Sequence, residues 1–286
     1  MSNTAELGTF LRSRRAALDP AELGLPAALN QRRVAGLRRE ELAQLAGISV
    51  DYYTRLEQGR GRNVSDSVLD ALARALRLRE DEETYLRNLA TPKRRRTRPS
   101  KPQRVRPGLR RLLDSVTVPA FVAGRYLDVL AWNELGGAIG FEFAAYPASE
   151  LNIPKMFFLD ETARDLHPEW ETVAKEVVSN LRSDAGKYPD DPRLPQLVGE
   201  LSLHSPDFRR LWAGHSVREK AHGTKLIRHP IVGDLELRYE TLRLPDDPGQ
   251  ALITYTATPG SPTEQALAML ASWVAGTEKA RRVVYE

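Results

Sequence analysis

Two domains are predicted: an all-α unit of five helices over residues 1–90, then an α+β unit with an antiparallel sheet over residues 108–286. Three observations predict them. At 286 residues the chain is long for one domain and comfortable for two. Apolar residues recur at helical spacing through the first ninety positions, whereas strict alternation appears only after residue 220. Between the two lies TPKRRRTRPSKPQRVR, residues 91–106, with three prolines, no acid and no apolar period, which reads as a linker over 91–107.

The organising stretch is RREELAQLAGISVDYYTRLEQG, Arg38 to Gly59. Leu42, Leu45 and Ala46 repeat along one helix face, with Glu40 and Glu41 in the first turn, where the helix dipole favours anions. Gly47 stops that helix because it takes the left-handed conformation without a Cβ penalty. Ser49 is the N-cap of a second helix with Tyr53 and Leu56 inward and Val50, Asp51, Tyr52 and Arg55 outward. Helix, glycine turn, capped helix is the helix-turn-helix pattern, and its outward side chains can reach base edges from a major groove.

The same stretch resembles the XRE or lambda-repressor-like family, on Glu41, Leu42, Ala43, Gly47, Ser49, Leu56, Glu57 and Gly59. Tyr53 stands where that family more often has an aliphatic residue. The resemblance implies a five-helix DNA-binding fold and a phosphate contact from Arg39. Arg32, Arg33, Arg38 and Arg60, together with Ser49, complete the expected DNA-binding set around Val50, Asp51, Tyr52 and Arg55.

Charge supports this division. Residues 1–106 carry 22 basic against 13 acidic side chains, and the remainder 20 against 25. A basic first third and an acidic remainder suggest that only one part meets a polyanion. No apolar run is long enough to span a bilayer, and MSNTAELG lacks a signal peptide's apolar core. The absence of cysteine excludes disulfides, thiolate metal sites and cysteine nucleophiles. A soluble, cytoplasmic protein without membrane insertion is expected, and the preference for Arg over Lys suggests a high-GC bacterium.

Taken in order, Thr4–Leu18 forms the first helix, with Leu7, Phe10, Leu11 and Leu18 inward and Arg12, Arg14 and Arg15 outward. After the motif, Val64, Ser65 and Leu69 suit a staple around an N-cap, and Val68, Leu69, Leu72 and Leu76 form the next buried stripe. The fifth helix begins with four consecutive acids and buries Tyr85, Leu86 and Leu89.

In the second domain, VPAFVAG and RYLDVLAWN read as a hairpin around Gly124-Arg125. Helices follow near 133–139, 154–158, 168–182, 193–203 and 206–212. KLIRHP, LELRYETLRL and ALITYTATP are then three strands, alternating Leu235, Leu237 and Tyr239 with Glu236, Arg238 and Glu240, so one sheet face is wet and helices cover the other. Ser261-Pro262 opens a last helix with Leu267, Leu270 and Trp273. Long stretches of residues 109–275, among them EWETVAKEVVSNLRSDAGKYPDDPRL and GTKLIRHPIVGDLELRYETLRLPD, resemble the ligand-binding domain of the MmyB-like transcription regulators. That resemblance implies a PAS-like fold around a small-molecule pocket, with fatty acids among the ligands.

Catalytic constellations are lacking. His167, His204, His215, His222 and His229 have no metal-ligand spacing, Asp190 and Asp191 form a turn, and no nucleophile elbow, P-loop or dinucleotide fingerprint occurs. No enzyme and no cofactor are expected beyond a bound fatty acid or other apolar ligand. Candidate pocket residues are Trp132, Asn133, Phe157, Phe158, Trp170, Trp212, Tyr239 and Tyr255, the aromatics being equally suited to the core and Asn133 better explained as a helix cap; Arg218, His222 and Lys225 are plain surface charge or, if the ligand is a fatty acid, partners for its carboxylate. The expectation is a homodimeric regulator binding double-stranded operator DNA under control of a small apolar effector. The alternative is a second domain serving as a protein-interaction module without a small ligand.

Overall fold

The computed structural model describes residues 3–23, 36–61, 64–90, 102–188, 191–214 and 221–284, with backbone alone over 277–284. Arg32, Arg33, Asp190, His215, Arg218 and most of the linker lie outside the described residues. By internal contacts the chain divides into two compact units. The first comprises Met1–Pro99 with Arg182–Asp191 and Trp212–Arg218, and the second the remainder.

The first unit holds five helices: α1 (Asn3–Ala17), α2 (Arg39–Ala46), α3 (Val50–Glu57), α4 (Asp66–Ala75) and α5 (Glu80–Ala90). Their shared core is Leu7, Phe10, Leu11, Leu42, Ala43, Tyr53, Leu56, Leu69, Leu72, Tyr85, Leu86 and neighbours. The inward face of α2 differs from the sequence expectation. Leu45 is exposed, and Leu42, Ala43 and Ala46 make the contact, because the small Ala43 admits close approach of the neighbouring helices. Arg15 is also corrected: it is buried, its charge held by a carboxylate on α3. At the start of α4 the Ser65 hydroxyl meets Ser67 Oγ at 3.0 Å and does not cap the helix.

In the second unit β1 (Ala120–Ala123) and β2 (Val129–Trp132) form the expected hairpin, joined by a 3₁₀ turn at Arg125–Leu127. With β3 (His222–His229), β4 (Gly233–Leu244) and β5 (Asp247–Thr256) they make one sheet in the order β2-β1-β5-β4-β3, every described pairing antiparallel. The register Phe121↔Ile253 and Tyr239↔Tyr255 puts these four on one face, since side chains paired directly across strands project to the same side. Helices α7 (Glu134–Ala138), α8 (Ile153–Leu159), α9 (Thr162–Leu166), α10 (Trp170–Lys187), α11 (Arg193–His204) and α12 (Pro206–Ala213) connect β2 to β3. The aromatic core under that face draws on α8, α9 and α10. Helix α13 (Pro262–Val284) follows β5 and packs Ala266 and Leu267 with Ile227, Leu235 and Leu237.

The opposite face is wet only in part. Glu236, Arg238 and Glu240 on β4 are exposed as expected. At the other end of the sheet, α6 (Pro107–Ser115) covers Ala120, Val122, Ala131 and Leu252 with Leu109 and Leu113. No helix is predicted over 107–115 from the sequence: the nine residues follow a basic, proline-rich run, and their leucines span little more than one turn. The expectation of helices on one face is therefore corrected.

Candidate functional site

The two-helix corner forms by local backbone chemistry. Glu41 Oε2 accepts from Arg38 N at 2.7 Å, which satisfies one of the four free amides at the start of α2. Gly47 closes α2 at φ 64°, and Ile48 N returns to Ala43 O at 3.0 Å. Ser49 Oγ then accepts from Tyr52 N at 3.2 Å and starts α3. Tyr53 and Leu56 point inward and are wholly buried, whereas Val50, Asp51 and Arg55 are exposed. Tyr52 is half-buried against the core, with the Arg55 guanidinium carbon 5.9 Å from its ring centroid.

Beneath this edge lies a group whose role the motif alone does not show. The Glu57 side chain is wholly buried and meets Arg15 Nε at 2.7 Å through one oxygen and Arg39 Nε at 2.7 Å through the other. Arg15 Nη1 also donates to Leu37 O at 2.5 Å. Burial pushes the Glu57 carboxyl up, but hydrogen bonds from Arg15 and Arg39 outweigh it and hold the group below its ordinary range. Arg39 remains 44% exposed, so one edge of its guanidinium is fixed while the rest faces solvent. A fixed, exposed guanidinium at the entrance of the two-helix corner is suited to a phosphate oxygen. The signal for Glu57 was available: an acid beside the inward Tyr53 and Leu56 of a short helix needs a buried cation.

The candidate pocket residues separate into groups. Phe157 stacks on Trp170 at 5.4 Å between centroids, and Phe158 packs edge-on against both at 5.5 and 5.8 Å. Trp132 joins Phe143 at 5.5 Å, Phe143 joins Phe121, and Phe121 stacks on Tyr255, which is 6.4 Å from Tyr239. These belong to the second unit, whereas Trp212 is grouped with the first, its ring under the Arg182 guanidinium. Asn133 is fully engaged in scaffolding: its oxygen accepts from Gly136 N and Ala120 N, and its amide donates to Val116 O and Val118 O. Capping explains it, as expected.

Two buried polar atoms in the aromatic cluster, Trp170 Nε1 and His167 Nδ1, have no hydrogen-bond partner among the described residues. The His167 ring lies 5.2 Å from Phe157 and 6.0 Å from Phe141. Burial and then the Lys225 charge lower its pKa to about 4, against a bond to the Leu226 backbone. His167 is therefore neutral at pH 7, with an acceptor nitrogen inside an apolar wall. His222 is exposed, and Lys225 sits over the Tyr239 ring. Among the described residues no cluster of metal-ligating side chains occurs, and no helix is long and apolar enough to cross a membrane.

The family model for the MmyB-like transcription regulator ligand binding domain matches residues 105–270, more than half of the chain. The chain belongs to the MmyB-like transcription regulators. A helix-turn-helix domain model matches residues 6–86, which contain the Ser49-capped corner. A comparison with the curated proteins finds no match. This MmyB-like regulator thus joins a DNA-binding helix-turn-helix to a ligand-binding domain, the two regulatory modules expected from its sequence.

Proposed function

We propose that this MmyB-like regulator reads operator DNA with the exposed edge of α3 and responds to an apolar small molecule held among the aromatic side chains of the second domain. Residues 1–90 are the DNA-binding domain, 91–107 a basic linker and 108–286 the effector domain. The observation that carries the DNA half is the split of α3, with Tyr53 and Leu56 buried while Val50, Asp51 and Arg55 are solvent-facing. Arg55 reads a guanine, the commonest specific base contact, while Arg38, Arg39 and Arg60 bind phosphates. Two copies bind half-sites spaced by a whole number of helical turns. In the effector half, the Trp170 and His167 nitrogens, without a partner among the described residues, suit the polar end of an otherwise apolar ligand, a fatty acid in its protonated form included.

Selection from a random duplex pool tests the first half: a single preferred sequence is expected. Arg55→Ala should cost about 1–3 kcal/mol on that sequence and relax the preference. Equal loss on random duplexes would make Arg55 a phosphate contact instead. Titrating the selected site with and without the lipid fraction that co-purifies with the full chain tests the second half. A change of roughly 5- to 150-fold in affinity is the range expected of such coupling. No change with any apolar ligand, together with a co-purifying protein, would identify the second domain as a protein-interaction module.

A further inference from the structure

The solvent edge of α3 carries one side chain whose charge is wrong for a polyanion. Asp51 is exposed between Val50 and the rest of the helix, on a corner whose other exposed charges include Arg38, Arg39, Arg55 and Arg60. Neither a cap nor an ion pair accounts for it. The start of α3 is already capped, since Ser49 Oγ accepts from Tyr52 N at 3.2 Å. Arg55 stands four residues on, a spacing at which acid and base commonly pair along a helix. Its guanidinium carbon instead lies 5.9 Å from the Tyr52 ring centroid. Among the described residues Asp51 has no hydrogen-bond or ion-pair partner.

A carboxylate only accepts hydrogen bonds, so in a major groove the phosphates repel it, as does any base edge that also only accepts. Guanine and thymine present acceptors there, and the amino donors are cytosine N4 and adenine N6. Adenine sets its N7 acceptor beside N6, where it would face the second carboxylate oxygen. Cytosine has no such acceptor in its own ring, which makes it the one base an unpaired carboxylate prefers.

We propose that Asp51 is a discriminating residue of α3, which accepts from N4 of an operator cytosine and penalises other sequences. The inference rests on α3 reading the major groove, and it assigns a task that the arginines cannot perform. A cation is attracted to every duplex, whereas an acid makes the wrong duplex worse.

The test uses the full chain, selection from a random duplex pool, and the variants Asp51→Ala and Asp51→Asn. The wild-type chain should select a C·G pair distinct from any requirement lost in Arg55→Ala, and replacing that pair should weaken binding about 5- to 150-fold. For Asp51→Ala the same replacement should cost under about twofold. Its affinity for random duplex should rise about threefold, because one repelled charge is gone. Asp51→Asn should shift the preferred base towards adenine, since an amide both donates and accepts. The asparagine variant keeps the shape of the side chain, so it decides the matter even where the alanine variant unfolds. Unchanged discrimination in both variants, or a loss equal on every duplex, would overturn the proposal and leave Asp51 a first-turn charge on the helix dipole. A selected site without such a C·G pair would overturn it too, with α3 still the reading helix. Absence of any preferred sequence would remove the reading of α3 itself, and the proposal with it.

Discussion

Two sets of buried polar groups, one in each unit, are accommodated in opposite ways. In the helical unit a carboxylate on α3 is taken wholly out of water and saturated by Arg15 and Arg39. In the sheet unit an imidazole and an indole are buried among phenylalanines with one nitrogen each unpartnered among the described residues. The first arrangement fixes geometry. An ion triad joining α1, α2 and α3 holds α3 against its scaffold in one register. The second leaves hydrogen-bonding capacity uncommitted, as an interior does when part of its complement is to come from a guest.

The largest expected effect breaks the helical side of this comparison. Glu57→Ala should destabilise the first unit by about 3–5 kcal/mol, because it leaves the Arg15 guanidinium buried without its counter-charge. Urea unfolding followed by circular dichroism measures it, and a loss under 1 kcal/mol would show that the triad is not fixing the fold.

Acid titration sharpens the contrast. His167 titrates near 4 when folded and near 6.5 when unfolded, so the unfolded chain binds the extra proton between those values. Stability should fall as pH drops from 6.5 to 4, by on the order of 3 kcal/mol in all. His167→Phe should flatten that window. Glu57 acts lower: its depressed folded pKa contributes stability above the ordinary carboxylate value that is lost as pH falls through the folded one. Glu57→Gln should flatten only the more acidic window, and a common window for both variants would dissolve the distinction.

The smallest effect concerns the start of α3. Ser49→Ala removes the acceptor for Tyr52 N and should cost about 1 kcal/mol, read from the denaturation midpoint. DNA affinity should fall with it, since Arg55 is positioned by the same short helix.

Short-range features were legible in the chain itself. Gly47 and Ser49 mark the corner because αL backbone and a hydroxyl cap are demands that few residue types meet. The alternation of Leu235, Leu237 and Tyr239 gave the sheet its apolar face, and both family resemblances rested on contiguous stretches. What tertiary structure alone decided is which charges go inside and which aromatic residues meet. Arg15 looks like its neighbours Arg12 and Arg14 until α3 brings Glu57 to it, and His167 looks like any loop histidine until Phe141 and Phe157 enclose it. Leu45 left the α2 contact, and α6 closed half of the face expected to be wet, for the same reason. Periodicity reports the direction of a side chain relative to its own helix or strand, whereas burial depends on what packs against that direction from elsewhere in the chain.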